Sequence, residues 1–211
     1  HPRPLLGALE LPERVLRQQH LAFEVASRSA ERAVAIDETL SVAHAELALA
    51  RFGGDWDWEG SEREFSRALH PDRTNALVHA YYSWLLLLPG RDDAAFIEAR
   101  TGHTLAPSSR LIRAARAQTF YLARRYDEAI DLCDDCLRSD GSYVFALHLR
   151  GLCALAKASA AEAIADLSQA AALTGRSPFY LGLLGLCYGT FGRRAEALDV
   201  VAELERLAQR T

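Results

Sequence analysis

The sequence contains no methionine, and lysine occurs once, as Lys157, among 24 basic residues. Because the chain starts at His1 without a methionine or a visible signal peptide, we interpret it as a piece cut from a longer protein. The preference for arginine indicates a GC-rich, bacterial genome. The formal net charge is -4, so no basic excess exists to neutralise phosphates, and nucleic acid is not expected as a partner.

Long hydrophobic runs are also missing. The two long stretches without acidic or basic residues, 74–90 and 178–192, fall short of the roughly 20 apolar residues that a membrane-spanning helix needs. We therefore predict no membrane insertion and expect a cytoplasmic protein. A periplasmic location stays open because the start is interpreted as truncated.

Catalytic signatures are absent as well. The sequence has no H-E-x-x-H, G-x-G-x-x-G, P-loop or G-x-S-x-G motif. Cys133 and Cys136 form a C-x-x-C, but no strand precedes them, and no fourth ligand completes a zinc site with Cys153. We expect buried thiols, with redox or metal chemistry as the alternative, and Trp56 and Trp58 are expected to fill a helix junction. No enzymatic activity, cofactor or metal is predicted.

One interval organises what is present. Four segments that begin at Ala76, Arg110, Val144 and Pro178 align without gaps at a spacing of 34 residues. Small residues recur at position eight and alanine recurs at position twenty: Ser83, Ala117, Gly151 and Gly185, then Ala95, Ala129, Ala163 and Ala197. Since small residues let two helices approach closely, each segment is predicted to fold as helix, tight turn and helix.

The predicted turns fall near the middle of each segment, at Gly90, Arg124-Arg125, Ala158-Ser159 and Gly192. Upstream, 41–72 reads as a fifth copy with a longer central turn. Residues 26–37 read as the second helix of a degenerate copy, after a long helix that starts at Pro12. We predict one domain, 1–211, with the degenerate copy at 1–40 and repeats at 41–75, 76–109, 110–143, 144–177 and 178–211.

The period and pattern resemble the tetratricopeptide repeat (TPR), and LARRYDEAIDLC (122–133) is close to the usual start of its second helix. The resemblance implies an all-α, right-handed α-α superhelix (TPR solenoid) of about five and a half helix-turn-helix repeats. GDWDWEGSEREFSRALHPD (54–72) and LARRYDEAI also resemble TPR arrays of large bacterial regulators. In those regulators the array follows a winged-helix, adenylyl cyclase or protein kinase domain.

In this family the first helices line a concave groove. The positions that match the groove here carry almost no charge, which disfavours the TPR clamps that bind a terminal carboxylate through lysine, asparagine and arginine. An apolar lining predicts a groove for an apolar or amphipathic segment; the alternative is a tightly closed superhelix in which these residues are core. The predicted groove residues are Leu49, Phe52, Leu77, Trp84, Leu87, Leu88, Gln118, Tyr121, Phe145, His148, Leu152, Phe179 and Leu186.

Four arginines, Arg110, Arg113, Arg116 and Arg150, are candidate contacts to an acidic partner or a phosphate. Pairing with Asp127, Glu128 or Asp131 is the alternative. The predicted function is a non-catalytic protein–protein interaction scaffold that binds a protein or peptide segment as part of a larger bacterial regulator. The alternatives are a homo-oligomerisation module, such as a homodimer, and a ligand or redox sensor that uses the cysteines.

Overall fold

The computed structural model describes residues 13–70 and 73–209, and every regular element in these ranges is helical. The helices follow the chain as α1 (Glu13–Ile36), α2 (Ser41–Ala50), α3 (Trp58–Leu69), α4 (Ala76–Leu87), α5 (Asp92–Leu105), α6 (Arg110–Leu122), α7 (Tyr126–Ser139), α8 (Val144–Ala156), α9 (Ala160–Leu173), α10 (Pro178–Thr190) and α11 (Arg194–Ala208). A π-helical turn, Arg51–Asp55, extends α2.

The chain divides into two compact units, and the division falls inside α4: the first unit ends at Tyr82 and the second spans Ser83–Thr211. In the first unit α2 packs between α1 and α3. In the second unit α6 packs with α7, α8 with α9 and α10 with α11, and successive pairs join through the α5–α6, α7–α8 and α9–α10 contacts.

The predicted repeat frame is realised in the helix boundaries. The first helices begin at the four predicted segment starts, and the second helices begin at Asp92, Tyr126, Ala160 and Arg194, again 34 residues apart. Position fifteen forms each turn in the left-handed region, with φ of 76° at Gly90, 60° at Arg124, 58° at Ala158 and 72° at Gly192. A left-handed residue ends a helix and lets the chain reverse, so the predicted turn positions are confirmed.

Close packing explains the small residues at position eight. A Cβ built on Gly151 would lie 2.9 Å from Leu167 Cγ on the paired helix α9, and one built on Gly185 would lie 3.1 Å from Val200 Cγ1 on α11. Position twenty is equally tight, because Ala95, Ala129 and Ala163 are each 0% exposed. The paired helices therefore approach more closely than a larger side chain would allow, as the sequence predicts.

The first unit corrects two expectations. The long helix and the second helix predicted before residue 37 are one continuous helix, α1, with no turn between them; Pro12 lies outside the described residues. The longer turn of the next copy is confirmed as the π-helical turn. Trp56, however, does not fill a junction: it is 67% exposed, and Phe52 contacts the Trp56 and Trp58 rings edge-on at 5.7 and 4.9 Å.

Two buried histidines at position four hold the first unit in a way that the sequence reading missed. His44 Nδ1 lies 2.7 Å from Glu64 Oε2, and His44 Nε2 lies 3.0 Å from the Glu38 carbonyl oxygen. His79 repeats the second contact, with Nε2 2.8 Å from the Arg73 carbonyl oxygen. Both ring nitrogens of His44 face acceptors, an arrangement that an imidazolium satisfies while Glu64 is ionised. These histidines are structural residues of the helix pairs.

Candidate interaction surfaces

None of the predicted groove residues is fully buried. Leu88, Phe179 and Leu186 are 51%, 60% and 49% exposed, and the remaining groove residues are partly buried. Leu49, Phe52 and Leu77 belong to the first unit, and the others belong to the second unit.

An aromatic cluster connects α8 with α10 in the second unit. The His148 ring lies 6.3 Å from Phe145 on its own helix, and 5.5 and 5.6 Å from Phe179 and Tyr180 on α10. Tyr143, which caps α8, contacts Phe145 at 6.4 Å. The structure thus brings together three predicted groove residues and adds two tyrosines that the prediction missed. Their aromatic character at the start of each first helix was the available signal.

Exposed aliphatic side chains continue this surface. Leu111 and Leu122 lie eleven residues apart on α6, and Phe179 and Leu186 lie seven apart on α10. Spacings of seven and eleven return a side chain to nearly the same side of a helix. Leu111 is 48% exposed and Leu122 is 44% exposed. We call Leu111, Leu122, Phe145, His148, Phe179 and Leu186 the apolar face.

His148 is the main titratable group within the apolar face. Burial lowers the pKa of its imidazole, so the ring is neutral at physiological pH. Neutral His148 adds no cation to the face, which therefore offers ring edges, ring faces and aliphatic carbon.

Trp84 has a structural role beside its predicted one. Its indole Nε1–H donates to the Ala115 carbonyl oxygen of α6 at 3.2 Å, and the neighbouring Ser83 hydroxyl bonds that of Thr119 at 2.9 Å. Both contacts join α4 to α6 within the second unit. A substitution at Trp84 would disturb this packing, so Phe179 and Leu186 report more cleanly on binding.

Two of the candidate arginines have intramolecular partners that differ from the expected ones. Arg110 pairs with Asp140 and covers the Tyr143 ring at 4.7 Å. Arg150 donates to both Asp166 oxygens at 2.7 and 2.8 Å and also pairs with Asp134. Hydrogen bonds from Asp166 raise the pKa of Arg150 further above its usual range. The expected acids are not partners of these arginines: Asp127 pairs with Lys157 and Glu128 with Arg125.

Arg113 and Arg116 differ from those two. The Nε atoms of both are buried, and neither has a hydrogen-bond partner. Arg116 covers the Phe120 ring at 5.8 Å. In the described part of the chain, no carboxylate pairs with either guanidinium.

The four cysteines are free and 0% exposed. Burial raises the pKa of Cys153 to about 12 and raises the pKa of Cys133, Cys136 and Cys187 as well. A reactive thiol needs the opposite shift, so the expectation of buried core thiols is confirmed. Within residues 13–70 and 73–209, no group of His, Cys, Asp and Glu is placed to hold a metal ion.

Comparison with solved structures identifies the fold. No protein-family model matches the sequence, and a search of curated proteins finds no match. Human IFIT1, solved as a dimer with PPP-AAAA, aligns at a TM-score of 0.70 with 16% identity over 86% of this chain and 45% of IFIT1. This chain thus spans less than half the length of IFIT1.

Two further structures match most of both chains. PilW, a widely conserved type IV pilus biogenesis factor, aligns at a TM-score of 0.68 with 14% identity over 94% of this chain and 90% of PilW. A thermophilic TPR protein of Thermus thermophilus aligns at 0.67 with 19% identity over 78% of this chain and 89% of its own. The expected all-α fold, an α-α solenoid of the tetratricopeptide type, is confirmed. No helix in the described ranges is long and apolar enough to cross a membrane.

Proposed function

We propose that the chain is a non-catalytic protein-interaction module that binds an apolar or amphipathic segment on the apolar face. A tetratricopeptide-type fold supports a general protein-binding role. The single observation that carries the proposal is the exposure of Leu111, Leu122, Phe179 and Leu186 on first helices that have buried faces of their own. Clusters of exposed large apolar side chains mark interaction sites more often than isolated ones do.

The chemistry of the face favours a helical or extended apolar segment over a charged ligand. Aromatic side chains supply contact area at a low cost in conformational entropy and dominate the energetics of interfaces. Neutral His148 and the absence of lysine from the face make a bound carboxylate a poor match there. The net charge of -4 favours a protein partner over nucleic acid.

A peptide selection tests the proposal directly. Peptides displayed on phage are selected against the whole chain, and the affinities of selected peptides are measured by fluorescence anisotropy. We expect peptides with apolar residues at helical spacing and at least about a tenfold loss of affinity with Phe179→Glu or Leu186→Glu, because a buried unpaired carboxylate costs more than about 1.4 kcal/mol.

Leu198→Glu is the matched control. Leu198 is 57% exposed on α11, a second helix, and the substitution makes the same change of size and charge outside the apolar face. Equal losses from Phe179→Glu and Leu198→Glu would contradict the proposal. Circular dichroism checks that each variant keeps its helix content.

The apolar face also fits a second copy of the chain, which is the alternative function. Light scattering after size exclusion, over a range of concentrations, distinguishes the two. A dimer that Phe179→Glu dissociates would assign the face to self-association, whereas a monomer that binds selected peptides supports the interaction module. A place in the cytoplasm, within a larger bacterial regulator, remains part of the proposal and rests on the resemblance of 54–72 to such regulators.

A further inference from the structure

Arginine occupies the same repeat position in two neighbouring repeats, and its surroundings differ. Arg116 on α6 and Arg150 on α8 both stand at position seven, 34 residues apart. Position seven faces the interior in other copies, since Leu47 is 4% exposed and Leu184 is 3% exposed. A guanidinium placed there loses water and needs acceptors in exchange.

Arg150 has those acceptors. Its two partners, Asp166 at position twenty-three of the same repeat and Asp134 at position twenty-five of the preceding repeat, hold three guanidinium nitrogens. Asp166 is itself buried, with 7% of its side chain exposed. The chain has thus built a complete carboxylate site around one of the two arginines.

Arg116 has neither acceptor. Leu132 stands where Asp166 stands one repeat later, and Arg100 stands where Asp134 stands. One acid is replaced by an apolar residue and the other by a third cation.

The shortage of acceptors extends to the neighbours of Arg116. Arg113, one turn earlier on α6, has a buried Nε without a partner, and so has Nδ1 of His103 on the adjacent helix α5. Burial and the nearby charges of Arg116 and Arg113 lower the pKa of His103, which places the three groups close together. The acids of the adjacent helix α7 do not compensate: Asp135 pairs with Arg138, and Asp131 is exposed. These three residues form a cationic cluster without a counter-ion in the described part of the chain.

We propose that Arg113, Arg116 and His103 bind a carboxylate side chain from an acidic segment of a partner protein. The internal precedent sets the ligand class, because carboxylates are what the same fold position uses around Arg150. A carboxylate accepts from two guanidinium nitrogens at once, and the partner would supply the acceptors that Leu132 and Arg100 do not. This site is separate from the apolar face, so the two proposals stand or fall independently.

A fluorescein-labelled hexaglutamate peptide tests the site on the whole chain, with hexaglutamine as the uncharged control. Anisotropy is measured at low ionic strength, where screening of charges is weak. We expect Arg116→Gln and Arg113→Gln each to weaken binding about tenfold or more, and Arg116→Lys, which keeps the charge but loses the fork, to give an intermediate loss. Two variants guard against a folding defect in either one.

Arg194→Gln is the charge-matched control. Arg194 begins α11 and is exposed, so its loss changes the net charge equally but should weaken binding less than about twofold. Phe179→Glu should leave hexaglutamate affinity unchanged, which keeps this test apart from that of the apolar face. The His103 ring, assigned with a His103→Gln variant, should show a higher pKa by NMR when the peptide is bound.

Three results would overturn the proposal. One is equal weakening by Arg116→Gln and Arg194→Gln, which would mean unspecific attraction. Another is the absence of measurable hexaglutamate binding by the wild-type chain. The last is competition by inorganic phosphate at lower concentration than by glutamate, which would assign the cluster to phosphate instead of carboxylate.

Discussion

Replacing Arg116 and Arg150 by leucine should change stability in opposite directions, although the two substitutions are chemically identical. Both side chains stand at position seven of a first helix in the second unit. Arg150→Leu removes the partner of Asp166, whose carboxylate is buried, and of Asp134, which is 39% exposed. Arg116→Leu removes a buried nitrogen that has no acceptor.

The magnitudes follow from burial. Breaking a fully buried ion pair costs about 3–5 kcal/mol; since 31% of the Arg150 side chain is exposed, we expect Arg150→Leu to lower the free energy of unfolding by about 2–3 kcal/mol. Removing an unsatisfied buried donor gains about 1 kcal/mol, and losing the contact with Phe120 returns about 0.5 kcal/mol. Arg116→Leu should therefore raise the free energy of unfolding slightly.

Urea unfolding followed by circular dichroism measures both variants against the wild type, with the slope of the transition checked for constancy. The reasoning fails if Arg116→Leu destabilises the chain as much as Arg150→Leu does, because Arg116 would then have a stabilising partner. A more stable Arg116→Leu variant that no longer binds hexaglutamate would mean that the arginine is present for binding at a cost in stability.

Three further substitutions or conditions test the packing. Gly151→Ala should destabilise by about 1–3 kcal/mol because the new methyl meets a leucine of α9, whereas Gly182→Ala, on open surface, should stabilise by up to about 1 kcal/mol; equal urea midpoints would contradict the close approach. Ala158→Gly should stabilise by about 0.5 kcal/mol by relieving a left-handed conformation, and thermal melting would show it. Because burial raises the pKa of Cys133 and Cys153 in the folded state, their stabilisation is complete below pH about 8.5 and falls above it by up to about 1.4 kcal/mol per pH unit for each thiol; urea unfolding at about pH 7.5 and about pH 9.5 would detect no change if the thiols were accessible.

The repeat frame could be predicted because it depends on local chemistry repeated along the chain. A small residue at position eight and a turn at position fifteen are required wherever a helix pair closes, so one interval located every helix from α4 onward. Position fifteen also shows what the frame tolerates: Arg124 and Ala158 adopt the left-handed conformation without being glycine. Upstream the frame was less informative, and the two predicted helices before residue 37 are one.

The electrostatic arrangement could not be read in the same way. Ion pairs such as Arg150 with Asp134 join residues from different repeats, and proximity in sequence favoured Asp127, Glu128 and Asp131 instead. The informative comparison is between equivalent positions. Once the frame is known, the acids at positions twenty-three and twenty-five predict which position-seven arginine is satisfied, and this signal was present in the sequence.

Repetition therefore provides an internal reference for function. Where successive repeats share a residue and its partners, the residue serves the packing, as His44 and His79 do with their carbonyl contacts. Where a residue is repeated and its partners are not, packing does not explain it, and the missing acceptor must come from elsewhere or be replaced by water. Arg116 belongs to the second kind, since a leucine at its position would satisfy the fold. For this reason the Arg113–Arg116–His103 cluster is a stronger indicator of a specific partner than the net charge of the chain.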